Sequence, residues 1–219
     1  MDFVARVLLS YLLGSIVGSL AIGRLRGIDI RKLGSGNAGG TNAWRTQGAL
    51  FALGVMVIDV AKGWLATRLV PFLPLPWPVS SAGAAVTAAA WLPAACGLAA
   101  ILGHVFPLWH GFRGGKGAAT LVGAVAGLAP VLLLPALGTW LVAVMAFGYV
   151  GLASMLAAAS LPVAVILLRT PPILPLLAFA GIVALFVAYT HRANVARMRA
   201  GTEPRAVPLW LFRPRSRPG

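Results

Sequence analysis

The chain alternates between long apolar runs and short polar stretches rich in glycine and arginine. Apolar runs occupy residues 3–23, 48–70, 81–102 and 172–190, and a longer run covers 117–169. A helix needs roughly twenty apolar residues to cross the hydrocarbon core of a bilayer. Each of the first four runs therefore fits one membrane span.

The run over 117–169 is too long for one span, and its prolines and glycines offer several break points. Its length fits three helices best, some of them short. Hydrophobic residues make up 59% of the chain and charged residues only 10%, which leaves too little polar surface for a soluble domain. The pattern predicts an all-α integral membrane protein with about seven transmembrane helices.

The basic residues fall in separate loops between the apolar runs. A net charge of +14 would suggest nucleic-acid binding only if these residues formed one face or stripe. The positive-inside rule instead places the loops after residues 23, 110 and 190 in the cytoplasm. The number of spans between Lys116 and His191 must then be even. Four spans there give seven in all, an external N-terminus and a cytoplasmic C-terminus.

Residues 1–203 are predicted to form a single multi-span domain, and residues 204–219 a basic cytoplasmic tail rich in proline and arginine. Two interpretations of the tail stay open. It lies on the anionic inner leaflet, where each arginine contributes about 1 kcal/mol, or it extends into solvent as a disordered segment.

The first polar stretch, GSGNAGGTNAWR at 34–45, is suited to binding an anion. Its glycines let several backbone N–H groups converge on one point, and the side chains between them add further donors. Arg45 follows within one helical turn of Asn42 and can close over the anion with a bidentate fork. Helix capping explains one or two of these residues, but not the density of glycine and donors. The predicted donors are Ser35, Gly36, Asn37, Gly39, Thr41 and Asn42.

The second stretch, GFRGGKGAAT at 111–120, superficially resembles a nucleotide-binding P-loop. The match fails because His110 and Gly117 stand where that motif needs glycine and a magnesium-binding hydroxyl. What remains is a backbone nest with a lysine at the start of a helix, which suits a phosphate. The alternative is a pair of topology charges, Arg113 and Lys116. The predicted phosphate ligands are Gly114, Gly115, Lys116, Gly117 and Thr120.

In the third stretch, His191, Asn194 and Met198 share one helical face at the cytoplasmic end of the last span, with Arg197 at its edge. We assign this face to the site; the alternative for His191 is an interfacial histidine. Inside an earlier span, Asp59 and Lys62 lie three residues apart and can neutralise each other. Charges in a membrane helix suggest function, and an ion pair that holds the helices together is the alternative.

The chain has four acidic residues, three histidines and one cysteine, too few for the usual metal sites. No metal or other cofactor is implied. A nucleophile elbow is absent, and Ser35 has no histidine and carboxylate nearby in sequence, so an acyl-serine route has little support. Nor does any histidine precede an aspartate by five residues, the pattern expected of acyl-CoA-dependent glycerol-phosphate acyltransferases.

The three stretches, with a D-x-x-K-G element between the first two, strongly resemble one family over residues 7–203. The motifs GSGN-x-G-x-TN, GH-x-FP with GF-x-GGKG-x-AT, and H-x-x-N-x-x-R are similar to those of the bacterial membrane acyl-phosphate:glycerol-3-phosphate acyltransferases. The resemblance implies transfer of a fatty acyl group from acyl phosphate to glycerol 3-phosphate, without metal or nucleotide. The products are 1-acyl-glycerol 3-phosphate and phosphate, and this is the first acylation of phospholipid synthesis. It implies a multi-pass protein of the bacterial inner membrane whose active site faces the cytoplasm.

The resemblance also implies the partners and the residue roles. Besides the two substrates and the bilayer, a partner is the soluble enzyme that makes acyl phosphate. One departure is Gly151, where relatives often carry serine, and Ser154 is the candidate substitute. The catalytic set is Ser35, Arg45, Lys116, His191 and Asn194. The supporting set is His104, Asp59, Lys62, Arg197 and Glu203.

The sequence leaves two questions open: which group is the general base, and whether the protein is an enzyme or a transporter. His104 or His191 can serve as the base, or a substrate phosphate takes the hydroxyl proton, which we favour. The rival class is a transporter of a small phosphorylated anion. Such proteins usually bind near mid-membrane within inverted repeats, whereas these two glycine loops are predicted on the same side.

Overall fold

The computed structural model describes residues 2–74, 82–206 and 209–211, and within them the regular structure is entirely helical. The α-helices are α1 (Asp2–Gly14), α2 (Gly18–Leu25), α3 (Gly40–Gln47), α4 (Ala49–Arg68), α5 (Ala82–Val105), α6 (Ala118–Leu128), α7 (Leu133–Phe147), α8 (Val150–Leu168), α9 (Ile173–Thr190) and α10 (Arg192–Arg199).

Five of these helices are long and apolar enough to cross a membrane: α4, α5, α7 with the turn before it, α8 and α9. Helices α1 and α2 pass the same test only together, as one span bent by 48°. The run over 117–169 holds the three predicted helices, of which α6 has only 11 residues. The predicted all-α multi-span fold is confirmed with five or six helices of spanning length, and a seventh crossing depends on α6.

The first apolar run, predicted as one span, breaks between α1 and α2, and an ion pair from α4 closes the break. In a continuous helix the Gly18 N–H would donate to the Gly14 carbonyl. Here it donates to Asp59 Oδ1 at 3.0 Å, while Lys62 Nζ donates to the carbonyl oxygens of Gly14 at 2.8 Å and Ile16 at 2.7 Å. Because lipid offers no hydrogen bonds, these side chains satisfy the interrupted backbone. The pair therefore holds the helices together, as one of its two interpretations predicted.

Small residues let the helices approach closely. Gly63 of α4 lies against the backbone carbonyl of Thr120 in α6, and Gly123 of α6 lies against the carbonyl of Val60. Helices in membranes pack in this way because small residues allow backbone contact where no hydrophobic driving force exists. The short α6 is thereby fixed against α4, and the loop that precedes α6 is fixed with it.

The three polar stretches meet at one end of the helix bundle. The Arg31 guanidinium, three residues before the first stretch, donates to the backbone carbonyls of His110 at 3.0 Å and Arg113 at 3.1 Å, which joins the loop that carries the first stretch to the second. The Lys116 ammonium donates to the Asn194 side chain, which joins the second stretch to the third. Because Lys116 and Asn194 lie at the same end of the bundle, the number of membrane crossings between them is even, as predicted for Lys116 and His191.

The first part of the predicted tail packs on the turn between α7 and α8. The Ala206 N–H donates to the Gly148 carbonyl at 2.8 Å, and the Arg205 guanidinium lies 3.9 Å from the ring centre of Trp210. This first part of the tail therefore contacts the rest of the protein. Residues 207, 208 and 212–219 lie outside the described residues, so the two interpretations of the tail stay open for them.

The α4–α6 packing predicts a contrast between two glycine-to-alanine substitutions. Gly123→Ala places a Cβ against the Val60 carbonyl, whereas Gly138→Ala meets no atom within 4 Å. Overpacking of this kind costs about 1–3 kcal/mol. We expect Gly123→Ala to lower the unfolding temperature in detergent by several degrees and Gly138→Ala to leave it unchanged. Equal unfolding temperatures for the two variants would contradict this packing.

Candidate active site

The Asn42 side chain shapes the first glycine stretch from inside. Its Nδ2 donates to the backbone carbonyls of Ile30 at 3.2 Å, Leu33 at 3.0 Å and Asn37 at 3.0 Å, and its Oδ1 accepts from the Ser35 N–H at 2.9 Å. Sequence reasoning assigned Asn42 to a phosphate. Since its donors are already used by the loop, Asn42 holds the loop and does not face a ligand.

The folded loop turns only part of the predicted nest toward a cavity. Asn37, Gly39 and Thr41 line that cavity. Ser35 and Gly36 lie on the exposed outer side of the loop and are absent from its lining. With Asn42, the structure therefore separates the six predicted donors into three that face the cavity and three that do not.

The second glycine stretch folds back over the end of α5. The N–H groups of Gly114 and Gly115 donate at 3.1 Å each to the backbone carbonyls of Val105 and His104, respectively. Gly117, whose φ of +87° favours glycine, then turns the chain into α6. This path brings Lys116 and Gly117 to the cavity.

Thr120 does not join this group. It is fully buried, it is absent from the cavity lining, and its hydroxyl has no hydrogen-bond partner among the described residues. The structure gives no support to the prediction that Thr120 binds phosphate, because the neighbouring residues Ala118, Ala119 and Leu121 face the cavity instead.

A buried carboxylate organises the third stretch. Glu203, 8% exposed, accepts a hydrogen bond from Asn194 Nδ2 at 2.7 Å and another from Arg197 Nε at 2.7 Å. The first bond orients the Asn194 amide so that its Oδ1 faces Lys116, whose ammonium donates to it. Glu203 thus acts on the cavity through Asn194, a role for which its sequence position gave no direct signal.

Lys116 is a cation in a poorly hydrated place. Burial, the largest cause, and the positive charges of Arg197 and Arg45 together lower the pKa of its ammonium to about 8, although the negative charge of Glu203 opposes them. Arg45 itself is exposed, is not among the residues that line the cavity, and donates to the Pro204 carbonyl at 3.2 Å. A bound anion would stabilise this concentration of positive charge.

His191 is a neutral imidazole of defined tautomer. Burial, with the charge of Lys116 nearby, lowers its pKa to about 4. Its Nδ1 lies 2.8 Å from the Val187 carbonyl, which can only accept, so Nδ1 carries the proton. Nε2 is left as an unprotonated acceptor. The residue Thr190, which sequence reasoning missed, supports this corner by donating to the Lys116 carbonyl at 3.1 Å.

The cavity has a volume of about 340 Å³ and combines a polar end with an apolar wall. The polar end carries the glycine loops, His104 and Lys116. The wall is formed mainly by side chains of α6, α7 and α8, which sequence reasoning did not identify. The shape suits an amphiphile with an anionic head. The main wall residues are Leu121, Val122, Val125, Leu133, Leu137, Trp140, Val150, Ala157 and Leu161.

The first turns of α8 contribute two of the residues singled out in the sequence. Ser154 lines the cavity and donates its hydroxyl hydrogen to the Val150 carbonyl at 2.9 Å. Gly151 lies against the Asn194 side chain, where a Cβ would stand 2.7 Å from Nδ2. The absence of a side chain at Gly151 therefore gives Asn194 its room.

Comparison with known proteins finds a matching family and close relatives in sequence. A family model described as glycerol-3-phosphate acyltransferase matches residues 4–201. The glycerol-3-phosphate acyltransferase of Chlorobaculum tepidum is 40% identical, over 94% of this chain and 97% of the relative. That of Synechococcus elongatus is also 40% identical, over 94% of this chain and 95% of the relative.

Two solved structures share the fold. The crystal structure of PlsY (YgiH), an integral membrane glycerol 3-phosphate acyltransferase in its glycerol 3-phosphate form, is 32% identical with a TM-score of 0.80, over 97% of this chain and 100% of that chain. The lysophosphatidic acid form of PlsY is 32% identical with a TM-score of 0.78, over 94% and 95%.

The Glu203 network predicts a loss of stability on removal of one charge. Glu203→Gln turns an amide hydrogen toward a donor on either Asn194 or Arg197, so one charge-assisted bond is lost, at a cost of about 1.5–3 kcal/mol. We expect a clear fall in unfolding temperature. The matched control is Asp29→Asn, which weakens the more exposed pair with Arg31 and should cost less than about 1 kcal/mol. A larger effect from the control would refute the role of Glu203.

Proposed function

Because the chain belongs to the glycerol-3-phosphate acyltransferase family, we propose that it transfers a fatty acyl group from acyl phosphate to the 1-hydroxyl of glycerol 3-phosphate. It is an integral membrane acyltransferase. The products under this proposal are 1-acyl-glycerol 3-phosphate and phosphate, and the reaction is the first acylation of phospholipid synthesis.

The observation that carries the proposal is a cavity that combines a polar end, with the Lys116 ammonium, and an apolar wall. An acyl phosphate has one fatty chain and one phosphate, and the wall and the polar end match these two parts. Glycerol 3-phosphate brings a second phosphate, and the two glycine loops with Arg45 and Lys116 supply donors for both. In this arrangement the apolar wall holds the chain while both phosphates stay at the rim.

Few chemical groups are needed, since acyl phosphate is an activated mixed anhydride. The glycerol hydroxyl oxygen attacks the carbonyl carbon, a C–O ester bond forms, and the bond from that carbon to the phosphate oxygen breaks. The hydroxyl proton passes to phosphate. Lys116 and the loop N–H groups stabilise the developing and departing negative charge, and positioning supplies much of the rate.

A substrate phosphate is the proton acceptor that we favour over a histidine. With a pKa of about 4, His191 is a weaker base than a phosphate dianion, whose conjugate acid has a pKa near 6. The unprotonated Nε2 of His191 can instead accept a hydrogen bond from the glycerol hydroxyl and orient it. Asn194 holds Lys116 in place beside it.

We further propose seven crossings with α6 as the short one, an external N-terminus and a cytoplasmic C-terminus in the bacterial inner membrane. The meeting of the three basic stretches at one end of the bundle supports this orientation, because such loops lie in the cytoplasm. Acyl phosphate made by a soluble enzyme then reaches the rim from the cytoplasm.

The choice of acyl donor tests the proposal directly. Purified protein supplied with acyl phosphate and labelled glycerol 3-phosphate should form a labelled lysophospholipid, whereas acyl-CoA should not replace acyl phosphate. Robust turnover with acyl-CoA alone would overturn the donor assignment. Uptake of glycerol 3-phosphate into sealed vesicles without acylation would favour the transporter.

The two cations at the polar end are expected to matter far more than a peripheral one. Removing a cation that meets a phosphate loses about 1.5–3 kcal/mol. Arg45→Ala and Lys116→Ala should each lower turnover per folded molecule at least about tenfold. Arg199→Ala, at the exposed end of α10, should change it less than about twofold. Similar small effects from all three would mean that these are topology charges.

The pKa of Lys116 predicts an alkaline limb in the pH–rate profile. Above its pKa of about 8 the ammonium loses its proton and its charge. kcat/KM for glycerol 3-phosphate should therefore fall about tenfold per pH unit at higher pH, because this parameter reports the free enzyme. Lys116→Arg keeps the charge at all these pH values, so it should remove the limb even if the maximal rate falls. An unchanged limb in this variant would assign it to another group.

A further inference from the structure

His104 connects the buried ion pair of α4 with the active-site cavity. Its side chain is only 3% exposed, and its Nδ1 lies 2.8 Å from Lys62 Nζ. The residue also lines the cavity together with Lys116. The proposed reaction assigns no task to His104.

The contact with Lys62 sets the tautomer of His104. The three hydrogens of the Lys62 ammonium go to the carbonyls of Gly14 and Ile16 and to His104 Nδ1, so Nδ1 accepts and the imidazole proton lies on Nε2. Asp59 Oδ1 lies farther from Nδ1, at 3.4 Å. Lys62 cannot turn away, because its Nζ also lies 2.8 Å and 2.7 Å from the carbonyls of Gly14 and Ile16 and 3.0 Å from Asp59 Oδ1. The helix break between α1 and α2 therefore fixes the imidazole from behind.

The protonated Nε2 faces the second glycine loop, and the residue lines the cavity. A Cβ at Gly115 would collide with Nε2, so only glycine leaves room for the ring at this place. Among the described residues, Nε2 makes no hydrogen bond. Buried N–H groups nearly always have a partner, and the cavity is the side from which a ligand oxygen can provide one.

We infer that His104 is a substrate-contacting hydrogen-bond donor, whose Nε2–H binds an oxygen of the acyl phosphate head. Lys62 is the positioning residue that keeps the proton on Nε2, and Asp59 holds the Lys62 ammonium in place. The identity of the ligand rests on the proposed function, whereas the tautomer is a property of the protein alone. His104 is then not the general base, since a base needs a lone pair on the nitrogen that faces the substrate.

Nitrogen NMR of the unmodified protein tests the tautomer without any assay. The chain has only three histidines, so imidazole ¹⁵N–¹H correlations in detergent near pH 7 can be assigned with single His→Gln variants. We expect the proton on Nε2 for His104 and on Nδ1 for His191. A proton on Nδ1 of His104 would overturn the inference, whatever the acyl donor proves to be.

Two substitutions of His104 separate the donor role from a base and from a structural role. Glutamine places an amide nitrogen near the position of Nε2, whereas asparagine keeps a polar group near Nδ1 and lacks the outer donor. We expect His104→Gln to retain kcat within about fivefold and His104→Asn to lose at least about tenfold, with equal unfolding temperatures.

The other outcomes overturn the inference in different ways. Full activity in His104→Asn would mean that the ring only completes the Lys62 site. A large loss of kcat in both variants, together with loss of the acidic limb of the pH–rate profile, would make His104 the base. If the wild-type protein shows no activity with acyl phosphate while the His104 proton lies on Nε2 as expected, the proposal of acyl phosphate as acyl donor is wrong. The inference that His104 presents a fixed N–H then still holds.

The positioning role of the ion pair is tested with a charge-balanced double variant, Lys62→Met with Asp59→Asn. Removing both charges avoids an unpaired buried charge. We expect the His104 imidazole proton to be shared between Nδ1 and Nε2 in this variant, because no ammonium then donates to Nδ1, and the same ¹⁵N–¹H correlations report the change. A proton that stays on Nε2 alone would show that the pair does not set the tautomer of His104.

Discussion

The bilayer offers no hydrogen bonds, so each interruption of a helix in this protein must be satisfied by the protein itself. Asp59 and Lys62 meet this requirement at the break between α1 and α2 by bonding to Gly18, Gly14 and Ile16. The break in turn fixes the ends of α1 and α2 beside α4. The first glycine loop follows α2 directly, so its position depends on the same contacts.

The two glycine loops use different means to satisfy their backbones. The first is held by one side chain, the Asn42 amide, which reaches four backbone groups. The second uses the last carbonyls of α5, which accept from Gly114 and Gly115. In both loops the atoms that satisfy the backbone lie behind the loop. The predicted phosphate ligands Gly114 and Gly115 thereby use their N–H groups within the protein, and Lys116 and Gly117 are the part of this loop that reaches the cavity.

Much of this arrangement could be predicted from the sequence, because apolar length and glycine density are local properties. The three helices within 117–169 and the meeting of the polar stretches are examples. Contacts across the fold could not be predicted. The residues next to Asn42 and Thr120 in the sequence do not show which way either side chain turns. The break between α1 and α2 contains no proline, so the sequence does not indicate it either. The cavity wall was missed because an apolar residue such as Trp140 looks the same whether it faces lipid or a substrate chain.

The active site therefore combines one lysine of lowered pKa with two histidines of opposite tautomer. His191 is held by a carbonyl, which leaves a lone pair on its outer nitrogen, and His104 is held by an ammonium, which leaves an N–H there. Neither ring needs to change protonation state to bind an oxygen or a hydroxyl. A reaction whose substrates bring two phosphates and an activated acyl group can leave proton transfer to those phosphates. The protein then supplies fixed donors, a fixed acceptor and a cation, and this is consistent with a chain that contains only four acidic residues.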